Sequence, residues 1–135
     1  MLKREVAAGP GGRVLIIDSI TKVDAGDEGV IVVSASHGGV SSGEFALAVP
    51  LRAVFFNDAG VGKDESGIAA LAMLQARGVA AGTVSHTSAR IGDAQDMWEN
   101  GVISHVNEAA RAMGLTPGQG LRAALVRVVG APGAG

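Results

Sequence analysis

Four apolar runs constrain this chain more than any other feature. They are Arg13 to Ile20 (RVLIIDSI), Val30 to Ser36 (VIVVSAS), Leu51 to Asn57 (LRAVFFN) and Val79 to Ser85 (VAAGTVS). Each reads as a strand, the last weakened by its alanines and glycine. Their apolar residues run on rather than alternate, so both faces of the sheet must be covered. Helical patterns separate them. Ser41-Ser42-Gly43-Glu44 resembles a capping box and opens a short helix that must stop before Pro50. Asp64-Glu65-Ser66 opens a second, running to about Arg77 with Gly78 after it. A third spans about Gly101 to Met113, with Val102, Ile103, Val106, Ala109, Ala110 and Met113 on one face and Gly114 as its stop. Pro117 to about Val126 holds a last one.

Strands alternating with helices over short loops imply an α/β fold. The expected form is a small open three-layer sheet, Rossmann-like or flavodoxin-like and mostly parallel. Its four strands take the order 2-1-3-4, with helices on both faces. The weak joint is Thr21 to Gly29, about nine residues, short for a parallel crossover; a hairpin there would make the sheet mixed. The expected organisation is a flexible leader over residues 1–12, one domain over 13–129 and a flexible tail over 130–135.

Composition narrows the function classes. The 135 residues suit one domain. Aromatics are 3% and glycines number 21, so the core must be aliphatic and the turns many. With no cysteine there is no disulfide or thiolate metal site, which fits a cytoplasmic protein. A net charge of -2 without a basic stripe speaks against a nucleic-acid partner. No apolar run approaches the roughly 18 residues of a membrane span. We expect no cofactor and no membrane partner. Because the chain is 47% apolar and its lone Trp98 lies outside the expected core elements, we expect a homo-oligomer.

In open α/β sheets, ligands bind beyond the carboxyl ends of the strands. Here the four ends read Asp18-Ser19, then Ser36-His37-Gly38-Gly39, then Asn57-Asp58-Ala59-Gly60-Val61-Gly62-Lys63, then Ser85-His86-Thr87-Ser88-Ala89-Arg90. The candidate catalytic residues are His37, His86, Asp18 and Asp58, as two His-acid pairs, His37 beside Asp18 and His86 beside Asp58. Candidate ligand-binding residues are Ser36, Gly38, Gly39, Asn57, Gly60, Gly62, Lys63, Ser85, Ser88 and Arg90. The two glycine-rich loops lead into helix N-termini, which favour anions, and Lys63 and Arg90 add charge-assisted contacts. Ser41, Ser42 and Asp64 read as helix caps, and His105 as a solvated residue on the polar face of the third helix. Strands two and four lie roughly 14 Å apart at about 4.8 Å per strand, so His37 and His86 should not share one metal ion.

Familiar motifs fail. Gly60-Val61-Gly62 would need glycine at Glu65 to be a dinucleotide fingerprint, and the phosphate-loop pattern breaks at Asn57 and Asp64. The expected function is therefore argued from residue types. It is an enzyme acting on a small anionic molecule, bearing carboxylate or phosphate, by His/Asp acid-base chemistry of hydrolase or lyase type. The competing readings are a non-catalytic ligand-binding module or accessory subunit with the same pocket, and a metal-dependent hydrolase with ligands among Asp18, His37, Asp58, His86 and Asp93.

Overall fold

The computed structural model describes residues 2–131. The architecture is α/β, with a mixed sheet of six strands in the order β1-β2-β3-β4-β5-β6. The strands are β1 Lys3–Gly9, β2 Gly12–Ile17, β3 Ile31–His37, β4 Ala53–Asn57, β5 Ala80–Val84 and β6 Ile103–Val106. The helices are α1 Val40–Leu47, α2 Ala69–Gln75, α3 Ala94–Asn100, α4 Glu108–Ala112 and α5 Leu121–Val129. The four central strands, β2 to β5, are parallel, and both edge strands run antiparallel to their neighbours.

Side chains along the strands divide between two cores. Val14, Ile16, Ile31, Val33 and Phe55 face Met97 and Trp98 of α3 and Leu121, Leu125 and Val129 of α5. Ile17, Val32, Val54 and Phe56 face Ala46 of α1 and Ala70, Leu71 and Leu74 of α2. Burial on both faces explains the unbroken apolar runs. Helices α1 and α2 share one face, as two successive crossovers of the same hand between neighbouring strands require.

The strand order differs from the expected 2-1-3-4. The run Val30 to Ser36 lies between the runs at 13–20 and 51–57, not outside them. The short first connection does make a parallel crossover. It uses two 3-10 turns, Ile20–Lys22 and Ala25–Asp27, in place of a helix. Lys3 of β1 ties it down: its Nζ donates to Asp27 at 2.9 Å, Asp24 at 3.2 Å and the Lys22 carbonyl at 2.9 Å. Residues 3–9, read as leader, thus form an edge strand because they close this connection and cap β2. At the other end Gly130 closes α5 in a left-handed conformation; the rest of the expected tail, 132–135, lies outside the described residues.

The expected helix from Gly101 to Met113 is instead β6 followed by α4. Val102, Ile103 and Val106 match helical spacing, but Ile103, His105 and Val106 pair with Val84, Thr83 and Gly82 of β5. Asn107 divides the two elements. Its side chain accepts the Ala110 and Ala81 N–H groups and donates to the Val79 carbonyl. Trp98, expected outside the core, sits on α3 and is buried within it. No helix is long and apolar enough to cross a membrane among the described residues.

After β5 the chain crosses the carboxyl edge of the sheet to reach α3 on the far face. Three hydrogen bonds hold this crossing: Asn57 Nδ2 to the Ala89 carbonyl (3.0 Å), Gly92 N to the Ala35 carbonyl (3.0 Å) and Ala94 N to Asp18 Oδ1 (3.1 Å). The segment after β5 therefore walls the edge where the candidate residues lie.

Candidate functional site

Asp58 follows β4 directly, and only 4% of the residue is exposed. Its Oδ1 accepts the Gly60 N–H at 2.8 Å and the His86 N–H at 3.0 Å. The Nδ1 of His86 lies 3.3 Å from the same oxygen, and the Nδ1 of His105 lies 3.9 Å from Oδ2. Burial alone would raise the Asp58 carboxyl, but the Gly60 N–H, the Ser104 hydroxyl and the His86 N–H and ring outweigh it and hold the group below its ordinary range. A nearly buried acid that stays ionised can fix an imidazole by its Nδ1. The His86 side chain is 55% exposed, so its other nitrogen is left to meet solvent or a ligand. Around the acid a hydroxyl network continues, with Thr83 Oγ1 2.9 Å from Ser104 Oγ and 3.3 Å from His105 Nδ1.

The loop after Asp58 is held in an uncommon shape. Ala59, Val61, Asp64 and Glu65 all have positive φ without being glycine, and Val61, at 67°, is β-branched. Such a residue is a genuine outlier, and strain of this kind costs roughly 1–3 kcal/mol and gathers at functional sites. The start expected for a helix at Asp64 is lost to this geometry: Lys63–Glu65 makes a 3-10 turn containing left-handed Asp64, and α2 begins five residues later. Val61→Gly should relieve the strain and raise stability by about 1 kcal/mol after the added chain entropy. Calorimetry should show a higher melting temperature.

The loop is locked to β3 by close backbone approach. A side chain on Gly38 would meet the Gly67 carbonyl oxygen at 2.5 Å, and one on Gly67 would overlap the carbonyl of Asp58. Gly38 N donates to the Asn57 carbonyl and Ala70 N to the Gly38 carbonyl. Gly38 is thus explained by backbone contact. The His37 ring lies over Gly39, two residues on, its Nε2 2.6 Å from where a Cβ there would stand.

A cavity of about 340 Å³ opens beside His37. The ends of β2 and β3, the turn at Ile20–Lys22, the start of α1 and the crossing segment at Ile91 and Gly92 wall it. His37 and Asp18 both line it, but among the described residues no hydrogen bond or ion pair joins them. Asp18 instead accepts Leu2 N–H on Oδ2 and Ala94 N–H on Oδ1. Ser36 lines it too and accepts Ile20 N–H.

The remaining candidates fall elsewhere. Asn57 accepts Ala59 N–H and anchors the Ala89 carbonyl. Gly60 and Gly62 direct their N–H groups into the loop, at Asp58 Oδ1 and the Gly60 carbonyl. Ser85 and Ser88 hydrogen-bond each other, and Ser88 also accepts Val102 N–H. Lys63 is exposed on the 3-10 turn. Arg90 borders a separate polar groove with Asp93, Gln95, Asp96 and Glu99. The charged and histidine candidates therefore divide: Asp18 and His37 at the cavity, Asp58 and His86 one strand along, Lys63 and Arg90 outside both.

Sequence reasoning missed His105, Ser104 and Thr83. The signal available was strand periodicity in Ile103–Val106, which brings His105 opposite Thr83. The helix-start reading of Ser41 also gives way: α1 begins at Val40, Gly39 is its N-cap residue, and no side chain caps it. Among the described residues, no three metal-ligating side chains are gathered to hold an ion. The chain matches no protein-family model, no curated protein and no solved structure.

Proposed function

We propose that the protein is an enzyme acting on a small carboxylate- or phosphate-bearing molecule by acid-base chemistry at the carboxyl edge of its sheet. One observation supports this most: a nearly buried, ionised Asp58 holds Nδ1 of a half-exposed His86. In this reading Asp58 orients the ring and steadies its protonated form, and His86 takes or gives a proton. Substrate would meet the pair at the exposed side of the His86 ring, and His37, whose Cα pairs with Asn57 next to Asp58, lines the neighbouring cavity.

Incubating the protein with a panel of carboxylate and phosphate metabolites tests the proposal. Wild type should convert at least one of them. His86→Asn should still bind that compound but turn it over about 10²- to 10⁴-fold more slowly. Tight binding by wild type with no turnover of any compound would instead favour a ligand-binding module.

A further inference from the structure

We propose that His105 is a second proton-transfer group of the same site, so that one carboxylate serves two imidazoles and the site holds a base and an acid at once. The inference rests on the acid-base reading and goes beyond it by naming the partner of His86.

Three neighbouring strands set the geometry. Asp58 follows β4, His86 lies just beyond β5, and His105 sits on β6 opposite Thr83 of β5. The two rings reach different oxygens of the carboxylate. His86 Nδ1 stands 3.3 Å from Oδ1, and His105 Nδ1 stands 3.9 Å from Oδ2. Ser104 serves the wider gap: its hydroxyl bonds the Asp58 carboxylate, and its Oγ lies 3.2 Å from His105 Nδ1.

This arrangement selects a tautomer. An ionised carboxylate can only accept, so His86 meets it with Nδ1–H. A Ser104 hydroxyl that donates to the carboxylate keeps its lone pairs for Nδ1–H of His105. Each neutral ring then bears its hydrogen on Nδ1 and a bare lone pair on Nε2. The side chains are 55% and 38% exposed, so both Nε2 atoms are within reach of a substrate.

Charge then divides the roles. Among the described residues Asp58 is the one acid that pairs with either ring, and exposed Lys63, Asp64 and Glu65 on the adjoining loop form no ion pair with them. One carboxylate offsets one imidazolium, and a second would stand beside the first without a counter-charge. The balanced state has one ring protonated and the other neutral. In a turnover, the neutral ring's Nε2 lone pair forms a bond to a proton of the substrate or of water. The Nε2–H bond of the protonated ring breaks and its proton goes to the leaving atom, with the electron pair of the bond cleaved in the substrate. The pair carries one proton before and after; only the ring that holds it changes. The leaving group departs neutral, which brings alcohol and amine leaving groups within range.

Nitrogen-15 NMR of the histidine rings tests the arrangement on the full chain without a substrate. At about pH 9, well above the ordinary histidine value of about 6.5, His86 and His105 should both show a protonated Nδ1 and a bare Nε2. Hydrogen on Nε2 of His105 would overturn the proposal, because Ser104 or Thr83 would then be donating to Nδ1 and the ring would have no outward lone pair. Turnover gives the second readout, on the compound that wild type converts fastest in the carboxylate and phosphate panel. Wild-type kcat/KM should rise and fall with pH as a bell. His105→Asn keeps a donor near the Nδ1 position, lacks Nε2, and should melt as wild type does. It should lower kcat/KM about 10²- to 10⁴-fold and lose one limb of the bell, and His86→Asn should lose the other. Full turnover or an intact bell in His105→Asn would overturn the proposal and leave the role of His86 standing. No conversion of any compound by wild type would overturn both.

Discussion

Gly67→Ala should be among the most damaging single substitutions in the chain, lowering the melting temperature by several degrees or more. The added methyl would overlap the carbonyl oxygen of Asp58, and the Cα of Val61 lies 3.0 Å from the same point. Both neighbours are backbone, so neither can rotate away. Overpacking of this kind costs about 1–3 kcal/mol, and here relief must move the residue that holds His86. Stability and site geometry should therefore fail together. Calorimetry and the His86 imidazole signals in NMR would show both. Gly78→Ala is the control: it has open space around its Cβ position, and its positive φ alone predicts a smaller loss.

Asp58→Asn should make stability respond differently to pH. The folded-state carboxyl is held below its ordinary range. A depressed group contributes stability that is present above its unfolded value, about 3.9, and is lost as pH falls through the lower folded value. The gap in melting temperature between wild type and Asp58→Asn should thus be widest near neutrality. It should close as pH drops below about 4, where wild type also loses the charge. A gap that stays constant from pH 7 to 3 would show that the ionised carboxylate stabilises nothing.

The sequence carried the α/β class because it resides in local signals: apolar runs for the central strands, and glycine stops such as Gly78 and Gly114. What it lacked were pairings fixed at a distance. Lys3–Gly9 becomes a strand only because β2 offers an edge and Lys3 reaches Asp24 and Asp27. Ile103–Val106 shows apolar spacing compatible with helix or strand, and the hydrogen-bonding edge of β5 decides between them. The order of β2 and β3 depends on a crossover built from 3-10 turns, which has no periodic signature.

The same division runs through the site. That polar residues would gather after the strands followed from chain direction alone, and the pairing of Asp58 with His86 followed from adjacency of β4 and β5. The pairing of Asp18 with His37 did not follow, although their strands are neighbours. Asp18 turns instead to the backbone of Leu2 and Ala94, one just before the unforeseen edge strand and one at the start of the unforeseen α3. Left-handed Asp64 and Glu65 were equally hidden, because an acidic pair ahead of an apolar helix reads as its first turn and carries no mark of positive φ.

The central claim is that Asp58 and His86 act as one catalytic unit. A double-mutant cycle on kcat, with wild type, Asp58→Asn, His86→Asn and the double variant acting on one converted carboxylate, measures it most directly. Groups that work as a unit are strongly non-additive. His86→Asn should lower kcat about 10²- to 10⁴-fold, and adding Asp58→Asn should cost little more. Near-wild-type turnover in His86→Asn, or single losses that multiply in the double variant, would contradict the account.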